Sequence, residues 1–405
     1  MSLRLGIGIV GFGWMGQAHA RSCARIPSLF HDRAFEPELV IASDLLEERT
    51  AEAVRSFGVG AVTGDWREVV GHPDVDVVYI CAPNTLHAEV TEAATAAGKH
   101  VFCEKPAGGT PAATARIHRA ARAAGVITGV GYNYRWAPLV RYTKELVDEG
   151  RLGEVTSYRG RFFSMYGSDP SGLLTWRYRR EDAGYGASAD LLSHALDLAL
   201  MLVGPITAVV GTAETFIRRR PLPAPGRDEH YGRGRAGDST GEVTNEDYCA
   251  ALAVFAGGAR GTFEASRALV GPQSQMAFDV YGTDGAVSWN FETMNELRVF
   301  TRDPSGRHEG YTTVYSGDRF PYHGRFVPGD ANAIGYEDLK VIEDYEFLSS
   351  VAAGRPHQPG FDDALEVVRI QAALVRSWES GKWESVGDID PEPAEAGEQT
   401  AKVPL

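Results

Sequence analysis

Residues 5–16, which read Leu5-Gly-Ile-Gly-Ile-Val-Gly-Phe-Gly-Trp-Met-Gly16, decide the fold of the first part of the chain. An apolar β-type run ends at Val10, and a helical pattern begins near Trp14. In a β-α-β unit the first glycine makes a tight turn, the second lets the backbone approach a pyrophosphate, and the third lets helix and strand pack closely. The phosphates then lie at the helix N-terminus. The residues predicted to bind a dinucleotide here are therefore Gly11, Phe12, Gly13, Trp14, Met15 and Gly16.

Strands and helices alternate around this stretch. Further strands are predicted at Leu39–Ser43, Val75–Ile80, His100–Cys103 and Val126–Val130, and helices at Trp14–Arg25, from about Glu47, at Thr85–Ala97 and at Pro111–Ala124. This alternation is typical of a parallel sheet. We therefore expect an α/β, Rossmann-type dinucleotide-binding domain over residues 1–131.

The pattern changes to consecutive strands after residue 131. Strands are expected at Val155–Met165, Ile206–Ile217, Asp247–Phe255, Arg260–Ser266, Met276–Tyr281 and Ala286–Phe291, and helices at Ala187–Val203, Glu337–Ala353 and Asp362–Ser380. Gly282-Thr-Asp-Gly285 is expected to form a hairpin turn. Residues 132–388 are thus predicted to form an α+β domain for substrate binding and oligomerisation, with a large, mostly antiparallel open sheet.

Two segments have a loop-like composition. Arg218–Gly241, rich in arginine, glycine and proline, is interpreted as a mobile surface loop, with a lid or an arm that reaches a neighbouring subunit as the alternative. The tail, residues 389–405, is expected to be disordered.

Composition excludes several classes of protein. The 405 residues carry a formal net charge of −14, which disfavours broad nucleic-acid binding. The four cysteines are widely spaced, which indicates neither a metal site nor a disulfide scaffold. The N-terminus does not resemble a signal peptide, and no apolar stretch approaches the roughly 20 residues of a membrane span. We expect a cytoplasmic protein without a membrane partner.

Asp44 ends the second predicted strand, 33 residues after Gly11. A carboxylate there can accept hydrogen bonds from the adenosine ribose hydroxyls and repel a 2′-phosphate. We attribute the long spacing to an inserted loop around Pro27–Pro37. No arginine directly follows Asp44, which favours NAD over NADP. Asp44 is also a candidate helix N-cap.

Three motifs follow three neighbouring strands. They are Cys81-Ala82-Pro83-Asn84 with His87, Glu104-Lys105-Pro106, and Gly131-Tyr132-Asn133-Tyr134-Arg135. Ligands of an open α/β sheet lie beyond the carboxyl ends of its strands, so these motifs should meet in one crevice. Ala82, Pro83, Asn84, His87, Glu104, Lys105 and Asn133 are expected to contact the cofactor, and Tyr134 and Arg135 the substrate. Lys105 could orient or protonate a substrate oxygen, whereas a solvated surface lysine is the alternative.

The glycine motif, Asp44, Glu104-Lys105-Pro106 and the helix Asp190-Leu-Leu-Ser-His194-Ala-Leu-Asp197 together resemble the Gfo/Idh/MocA family, named after glucose–fructose oxidoreductase, inositol dehydrogenase and a rhizopine-catabolism protein. The resemblance spans residues 4–381 except Arg218–Gly241. It implies that Lys105, Asp190 and His194 form the catalytic set. Asp190 and His194 stand four residues apart, so on a helix the carboxylate could orient the imidazole. A core histidine is the alternative for His194 alone.

Leu174-Thr-Trp176-Arg177 is similar to a Trp-Arg stretch in levoglucosan and glycoside 3-dehydrogenases of this family. The resemblance implies that Trp176 stacks on a sugar ring and that Arg177 reaches the cofactor, so both are expected near nicotinamide and substrate. Ordinary core packing is the alternative for Trp176. Tyr166 is a further candidate substrate contact.

The resemblance implies an NAD-dependent oxidoreductase. A hydride would pass between a ring secondary alcohol of a sugar, glycoside or cyclitol and the nicotinamide. His194 would act as general base, Asp190 would orient it, and Lys105 would hydrogen-bond the reacting oxygen, with Lys105 as the base in the alternative scheme. The other hypotheses are an inactive dinucleotide-binding regulator and a different reaction on the same scaffold. The open face of the second sheet predicts a homodimer or homotetramer, and no metal is expected.

Overall fold

The computed structural model describes residues 2–224 and 231–387. Its first domain is a six-stranded parallel sheet with the order β3-β2-β1-β4-β5-β6. The strands are β1 (Leu3–Val10), β2 (Phe35–Ser43), β3 (Ala61–Thr63), β4 (Val77–Ile80), β5 (His100–Cys103) and β6 (Thr128–Val130). The helices are α1 (Trp14–Leu29), α2 (Glu47–Phe57), α3 (Trp66–Gly71), α4 (Asn84–Ala96) and α5 (Pro111–Ala124). The predicted Rossmann-type domain is therefore confirmed.

One local expectation for this domain is wrong, and two short elements were not expected. The loop predicted around Pro27–Pro37 is replaced by a longer helix and a longer strand, because α1 runs to Leu29 and β2 begins at Phe35. Pro27 lies inside the last turn of α1, where it removes one backbone N–H donor from the helix. The short elements β3 and α3 were not predicted.

The second domain is built on a nine-stranded mixed sheet with the order β16-β15-β14-β13-β7-β12-β11-β8-β17. Its elements are α6 (Pro138–Asp148), β7 (Val155–Phe163), α7 (Arg180–Ala183), α8 (Ser193–Leu202), β8 (Ile206–Glu214), β9 (Arg219–Pro221), β10 (Thr240–Glu242), β11 (Tyr248–Phe255), β12 (Arg260–Ser266), β13 (Gln275–Gly282), β14 (Gly285–Asn290), β15 (Glu296–Thr301), β16 (Tyr311–Tyr315), α9 (His323–Phe326), α10 (Tyr336–Ala352), α11 (Phe361–Ser380) and β17 (Glu384–Ser385). Neighbouring strands are antiparallel except β7 and β12. The predicted α+β domain and the β13–β14 hairpin are confirmed, whereas α6, β15 and β16 were not predicted.

The strand register separates two faces of this sheet. One cross-strand row is buried and consists of Ala251, Phe263, Gly160, Phe278, Trp289 and Leu297. The next row is partly or fully exposed and consists of Val210, Leu252, Thr262, Arg159, Asp279, Ser288, Arg298 and Thr313. Helices α8 and α11 pack on the sheet. One face is therefore covered within the chain, and the other is open.

The segment Arg218–Gly241 is not a loose loop at its base. Strands β9 and β10 pair within it, and Arg220 and Pro221 are buried. Residues 225–230 lie outside the described residues, as do residues 388–405, so the expected disorder of the tail stays a prediction.

Helix α10 returns from the second domain to pack against α1 of the first. The division of the chain after residue 131 stays a prediction. Every helix within residues 2–224 and 231–387 falls short of the length and apolar character that crossing a bilayer requires.

Candidate active site

The glycine-rich turn between β1 and α1 is shaped to admit a phosphate group. Gly11 has a φ of +87°, a conformation that favours glycine. A Cβ at Gly16 would lie 2.1 Å from the carbonyl oxygen of Gly11, so α1 packs too closely for any side chain there. A Cβ at Gly13 would meet only Arg49, at 3.6 Å. Gly13 is the N-cap of α1 and leaves the first N–H groups of the helix open to an anion.

Asp44 lies directly against this turn. Its carboxylate accepts hydrogen bonds from the N–H groups of Phe12 (2.8 Å) and Leu46 (3.0 Å). The N-cap of α2 is Leu46, so Asp44 shapes the turn before the helix rather than capping it. Nη1 of Arg49 lies 3.4 Å from the same carboxylate. Sequence reasoning missed Arg49, because it looked for an arginine only directly after Asp44.

Trp14 and Met15 face the second domain. The exposed indole of Trp14 stacks on the ring of Tyr336, with centroids 5.6 Å apart, and the Tyr336 hydroxyl lies 4.0 Å from Sδ of Met15. Tyr336, the first residue of α10, was not predicted to lie near the cofactor site.

Lys105 and Asp190 form the central ion pair of the site. Nζ of Lys105 donates to Oδ1 (2.6 Å) and to the backbone carbonyl (2.8 Å) of Asp190. The Tyr166 hydroxyl donates to Oδ2 (2.8 Å), and Nη1 of Arg177 lies 3.9 Å from Oδ1. Burial opposes the charged form, but Lys105 and Arg177 outweigh it and hold the pKa of Asp190 well below its usual range. Residues 85 positions apart thus form one charged centre.

His194 is next to this centre but is not oriented by Asp190. The partners of the Asp190 carboxylate among the described residues are Lys105, Tyr166 and Arg177, so the expected Asp190–His194 hydrogen bond is wrong. Asp190 lies in a π-helical turn, Ser188–Leu192. The backbone there bonds i to i+5, unlike an α-helix, and the Asp190 carboxylate is directed to Lys105 and Tyr166 instead of His194.

The surroundings of His194 keep it neutral. Its ring is 5% exposed and packs on the ring of Tyr134, with centroids 4.9 Å apart. Burial, together with the Lys105 ammonium, lowers the pKa of His194 well below its usual value. Nδ1 has no hydrogen-bond partner in the described part of the chain. A buried imidazole nitrogen without a hydrogen-bond partner is consistent with a hydrogen bond to a bound molecule.

Trp176 and Arg177 lie in a short 3₁₀ helix, Trp176–Tyr178. The guanidinium of Arg177 lies over the Trp176 ring, 4.5 Å from its centroid, and reaches Asp190. Trp176 is only partly buried, which argues against the core-packing alternative.

Three side chains predicted to contact a ligand are bonded within the protein, so their ligand contacts stay predictions. Arg135 is buried and paired with Asp197 and Asp363. The two ring nitrogens of His87 bond the carbonyl oxygens of Pro106 and Ala82. The Glu104 carboxylate bonds His19 and Lys340. The sequence shows that these residues are ionisable, but it does not reveal partners that lie far away along the chain.

The other predicted contacts remain open to a ligand. Nδ2 of the buried Asn133 has no partner among residues 2–224 and 231–387, which fits a cofactor contact. Nδ2 of Asn84 donates to the carbonyl of Ala183 (3.1 Å), while Ala82 is partly exposed and Pro83 is exposed after the end of β4.

A buried ionic cluster lies behind Lys105. Nζ of Lys340 bonds Glu104 (2.6 Å) and Glu343 (2.9 Å), and His19 bonds Glu104 (3.1 Å) and Asp344 (2.9 Å). Glu104 also accepts from the backbone N–H of Lys105 (3.3 Å). The cluster therefore joins α1, the end of β5 and α10 directly behind the catalytic candidate.

Proton binding in the cluster departs from ordinary behaviour. Burial opposes the charged form of His19, but Asp344 and Glu104 outweigh it and raise its pKa to about 9. Burial raises the pKa of Glu343 to about 8. Near neutral pH His19 and Lys340 are thus cationic and Glu343 is mostly neutral. Sequence reasoning missed the cluster, although ionisable residues at positions 340, 343 and 344 of an otherwise buried helix were a usable signal.

Two family models match this chain. A family model described as the NAD-binding Rossmann fold of an oxidoreductase family matches residues 5–132. A second model, described as the GFO/IDH/MocA C-terminal domain, matches residues 140–288.

Individual relatives cover nearly the whole chain. Levoglucosan dehydrogenase of Pseudarthrobacter phenanthrenivorans is 36% identical over 386 residues, which cover 95% of this chain and 99% of the relative. Myo-inositol 2-dehydrogenase of Thermotoga maritima is 26% identical, covering 92% and 96%. The solved structure of a levoglucosan dehydrogenase in complex with NADH and levoglucosan has a TM-score of 0.89 at 34% identity, covering 95% of this chain and all of that one.

Proposed function

The chain belongs to the Gfo/Idh/MocA family of oxidoreductases, and from this premise we propose that it is an NAD-dependent dehydrogenase of ring alcohols. The substrate is a sugar, glycoside or cyclitol with a free secondary hydroxyl. The observation that carries the proposal is the Lys105–Asp190 ion pair, which lies beside the neutral His194 at the carboxyl edge of a dinucleotide-binding sheet.

The glycine-rich turn and the residues around it fit the cofactor. The uncapped start of α1 would hold the pyrophosphate, and Asp44 would accept hydrogen bonds from the ribose hydroxyls. Asn133 would contact the nicotinamide side through its unpartnered amide. The carboxylate of Asp44 disfavours a 2′-phosphate, so NAD is preferred over NADP. When bound, the nicotinamide ring supplies the acceptor for the hydride that leaves the ring carbon.

The side chains of the protein manage the proton. His194, which its lowered pKa keeps neutral, accepts the hydroxyl proton at Nδ1 in the tautomer that carries its own proton on Nε2. Lys105 has one donor left after its two bonds to Asp190, and this donor hydrogen-bonds the reacting oxygen and stabilises the charge that develops there. Asp190, held by Tyr166 and Arg177, fixes the position of Lys105. Trp176 offers a face for the sugar ring.

Lys105 as the base is the less favoured scheme. Its Nζ is placed as a hydrogen-bond donor to a carboxylate oxygen and a carbonyl oxygen, whereas a base must offer a lone pair. An inactive regulator is also less favoured. Lys105, Asp190 and a neutral His194 are all present at one site.

The open face of the nine-stranded sheet supports association into a homodimer or homotetramer. Leu252 in its exposed row is 51% exposed. Sedimentation velocity tests this, and a monomer at micromolar concentration would count against it. We place the protein in the cytoplasm, because its four cysteines are unpaired and thiols remain reduced there.

The test of the proposed function is a substrate screen. Inositols, monosaccharides, glycosides and 1,6-anhydrosugars are incubated with NAD⁺ and, in parallel, NADP⁺, and formation of the reduced cofactor is followed by absorbance. We expect turnover of at least one ring alcohol with NAD⁺, abolished in Lys105→Met and retained in the exposed control Lys382→Met. Tight dinucleotide binding without turnover of any compound would favour the regulator.

A further inference from the structure

Residues 164–178 form a loop that contacts Asp190 at two points. The Tyr166 hydroxyl donates to one oxygen of its carboxylate at 2.8 Å, and Nη1 of Arg177 lies 3.9 Å from the other. Apart from the 3₁₀ turn at its end, the loop has no helix or strand. Other contacts must therefore set its shape and so place both side chains.

Arg220, on strand β9, supplies the first of these contacts. It is fully buried, and its guanidinium donates to the carbonyl oxygens of Gly167 and Asp169, the latter at 2.8 Å. Its Cζ also lies 4.1 Å from the centroid of the Tyr178 ring. A planar guanidinium can bridge two carbonyls and stack on a ring at once, which an ammonium cannot do.

Arg267 fixes the other end of the loop. It is buried, held by Asp247 (2.8 Å) and Asn245 (2.7 Å), and donates to the carbonyl of Arg177 at 3.0 Å. Its Cζ lies 4.4 Å from the Tyr178 ring centroid, so two guanidiniums lie over one tyrosine.

Backbone hydrogen bonds tie the same loop to the segment that contains β9 and β10. The N–H of Leu174 donates to the carbonyl of Pro221 at 2.7 Å, and the N–H of Gly234 donates to the carbonyl of Ser171 at 2.8 Å. The described parts of this segment, residues 218–224 and 231–241, therefore support the loop through backbone hydrogen bonds.

We infer that Arg220 is a positioning residue, which holds loop 164–178 so that Tyr166 and Arg177 stay against Asp190 and thereby sets the fit of the sugar. The expected effect on sugar turnover rests on the proposed function, whereas the anchoring of loop 164–178 by Arg220 does not. Burying a guanidinium is costly unless its donors are used, and Nη1 and Nη2 of Arg220 are both used on this loop, while Nε has no partner among the described residues.

The experiment compares the wild type with Arg220→Met and with the control Arg218→Met, whose exposed side chain contacts Glu214 instead of the loop. Hydrogen exchange by mass spectrometry is expected to show about tenfold faster exchange for peptides within residues 166–176 in Arg220→Met and no change in the control. kcat/KM for the sugar should fall about tenfold to a hundredfold in Arg220→Met, with NAD⁺ affinity retained.

A double-mutant cycle separates positioning from general loss of structure. Tyr166→Phe should cost about tenfold in kcat/KM in the wild type and less than about twofold in Arg220→Met, because the hydroxyl is then already displaced. Additive effects, or unchanged exchange in the loop, would overturn the inference. If Arg220→Met does not fold, Arg220→Lys is measured in the same way, since it keeps the charge but cannot bridge both carbonyls. A wild type without sugar turnover would reject the proposed function, while hydrogen exchange would still decide the role of Arg220.

Discussion

Raising the pH from about 7 to about 9 should destabilise the protein through the buried ionic cluster. His19 is wholly buried between Asp344 and Glu104. Although burial opposes its charged form, these carboxylates raise its pKa to about 9 from an ordinary value of about 6.5. The folded protein therefore holds a proton there that the unfolded chain releases.

The sign and size of the effect follow from that difference. Because the pKa of the folded state is raised, the stabilisation is fully present below the unfolded pKa and is lost as the pH rises through about 9. Between about pH 7 and about pH 9 the loss from His19 amounts to about 2 kcal/mol. Glu343, whose pKa burial raises to about 8, loses about 1 kcal/mol more in the same window and with the same sign.

The assay is urea unfolding at both pH values, followed by tryptophan fluorescence. We expect the free energy of unfolding of the wild type to fall by about 3 kcal/mol, and that of His19→Gln by only about 1 kcal/mol, the part due to Glu343. The exposed His31→Gln should behave as the wild type. A wild type whose stability is the same at both pH values, or a His19→Gln variant with the full loss, would refute the reasoning.

Three further substitutions test the site. Lys105→Met should lower kcat by about 10² to 10⁴ while NAD⁺ affinity measured by fluorescence titration is kept, since the donor to the reacting oxygen is lost; an unchanged kcat would contradict this. Gly16→Ala should weaken NAD⁺ binding and destabilise the protein by about 1–3 kcal/mol, because the new Cβ would lie 2.1 Å from a carbonyl oxygen. The control Gly71→Ala has open space around its new Cβ, so its thermal unfolding should be nearly that of the wild type. Asp44→Asn should raise the ratio of kcat/KM for NADP⁺ over NAD⁺ about tenfold, because it removes the charge that repels a 2′-phosphate; an unchanged ratio would assign the cofactor preference elsewhere.

Much of the fold could be predicted because local signals agreed with the final packing. The bounds of α5 were correct, since Thr110 caps it and Pro111 opens it. The glycine motif placed α1 after β1. β3 was missed because it is only 3 residues long, and α6 because it lies close to the predicted boundary between domains. The prediction of an inserted loop was wrong, because the number of residues between Gly11 and Asp44 does not distinguish a loop from a longer helix.

The catalytic candidates could be predicted only in part. Family resemblance selected Lys105 and Asp190, and the structure brings them together across the two domains. The predicted hydrogen bond between Asp190 and His194 is absent because the Asp190 carboxylate bonds Lys105 and Tyr166, which stand far from it in the sequence. The partners of Arg135, His87 and Glu104 depend on tertiary contacts that no local pattern reveals.

Transfer of deuterium tests the central claim most directly. The ring alcohol found in the screen is labelled with deuterium at the oxidised carbon, incubated with NAD⁺ and the protein, and the reduced cofactor is analysed by mass spectrometry. Our account predicts that the recovered NADH carries the deuterium and that Lys105→Met forms almost none. Unlabelled NADH, or labelled NADH at the wild-type rate from Lys105→Met, would contradict it.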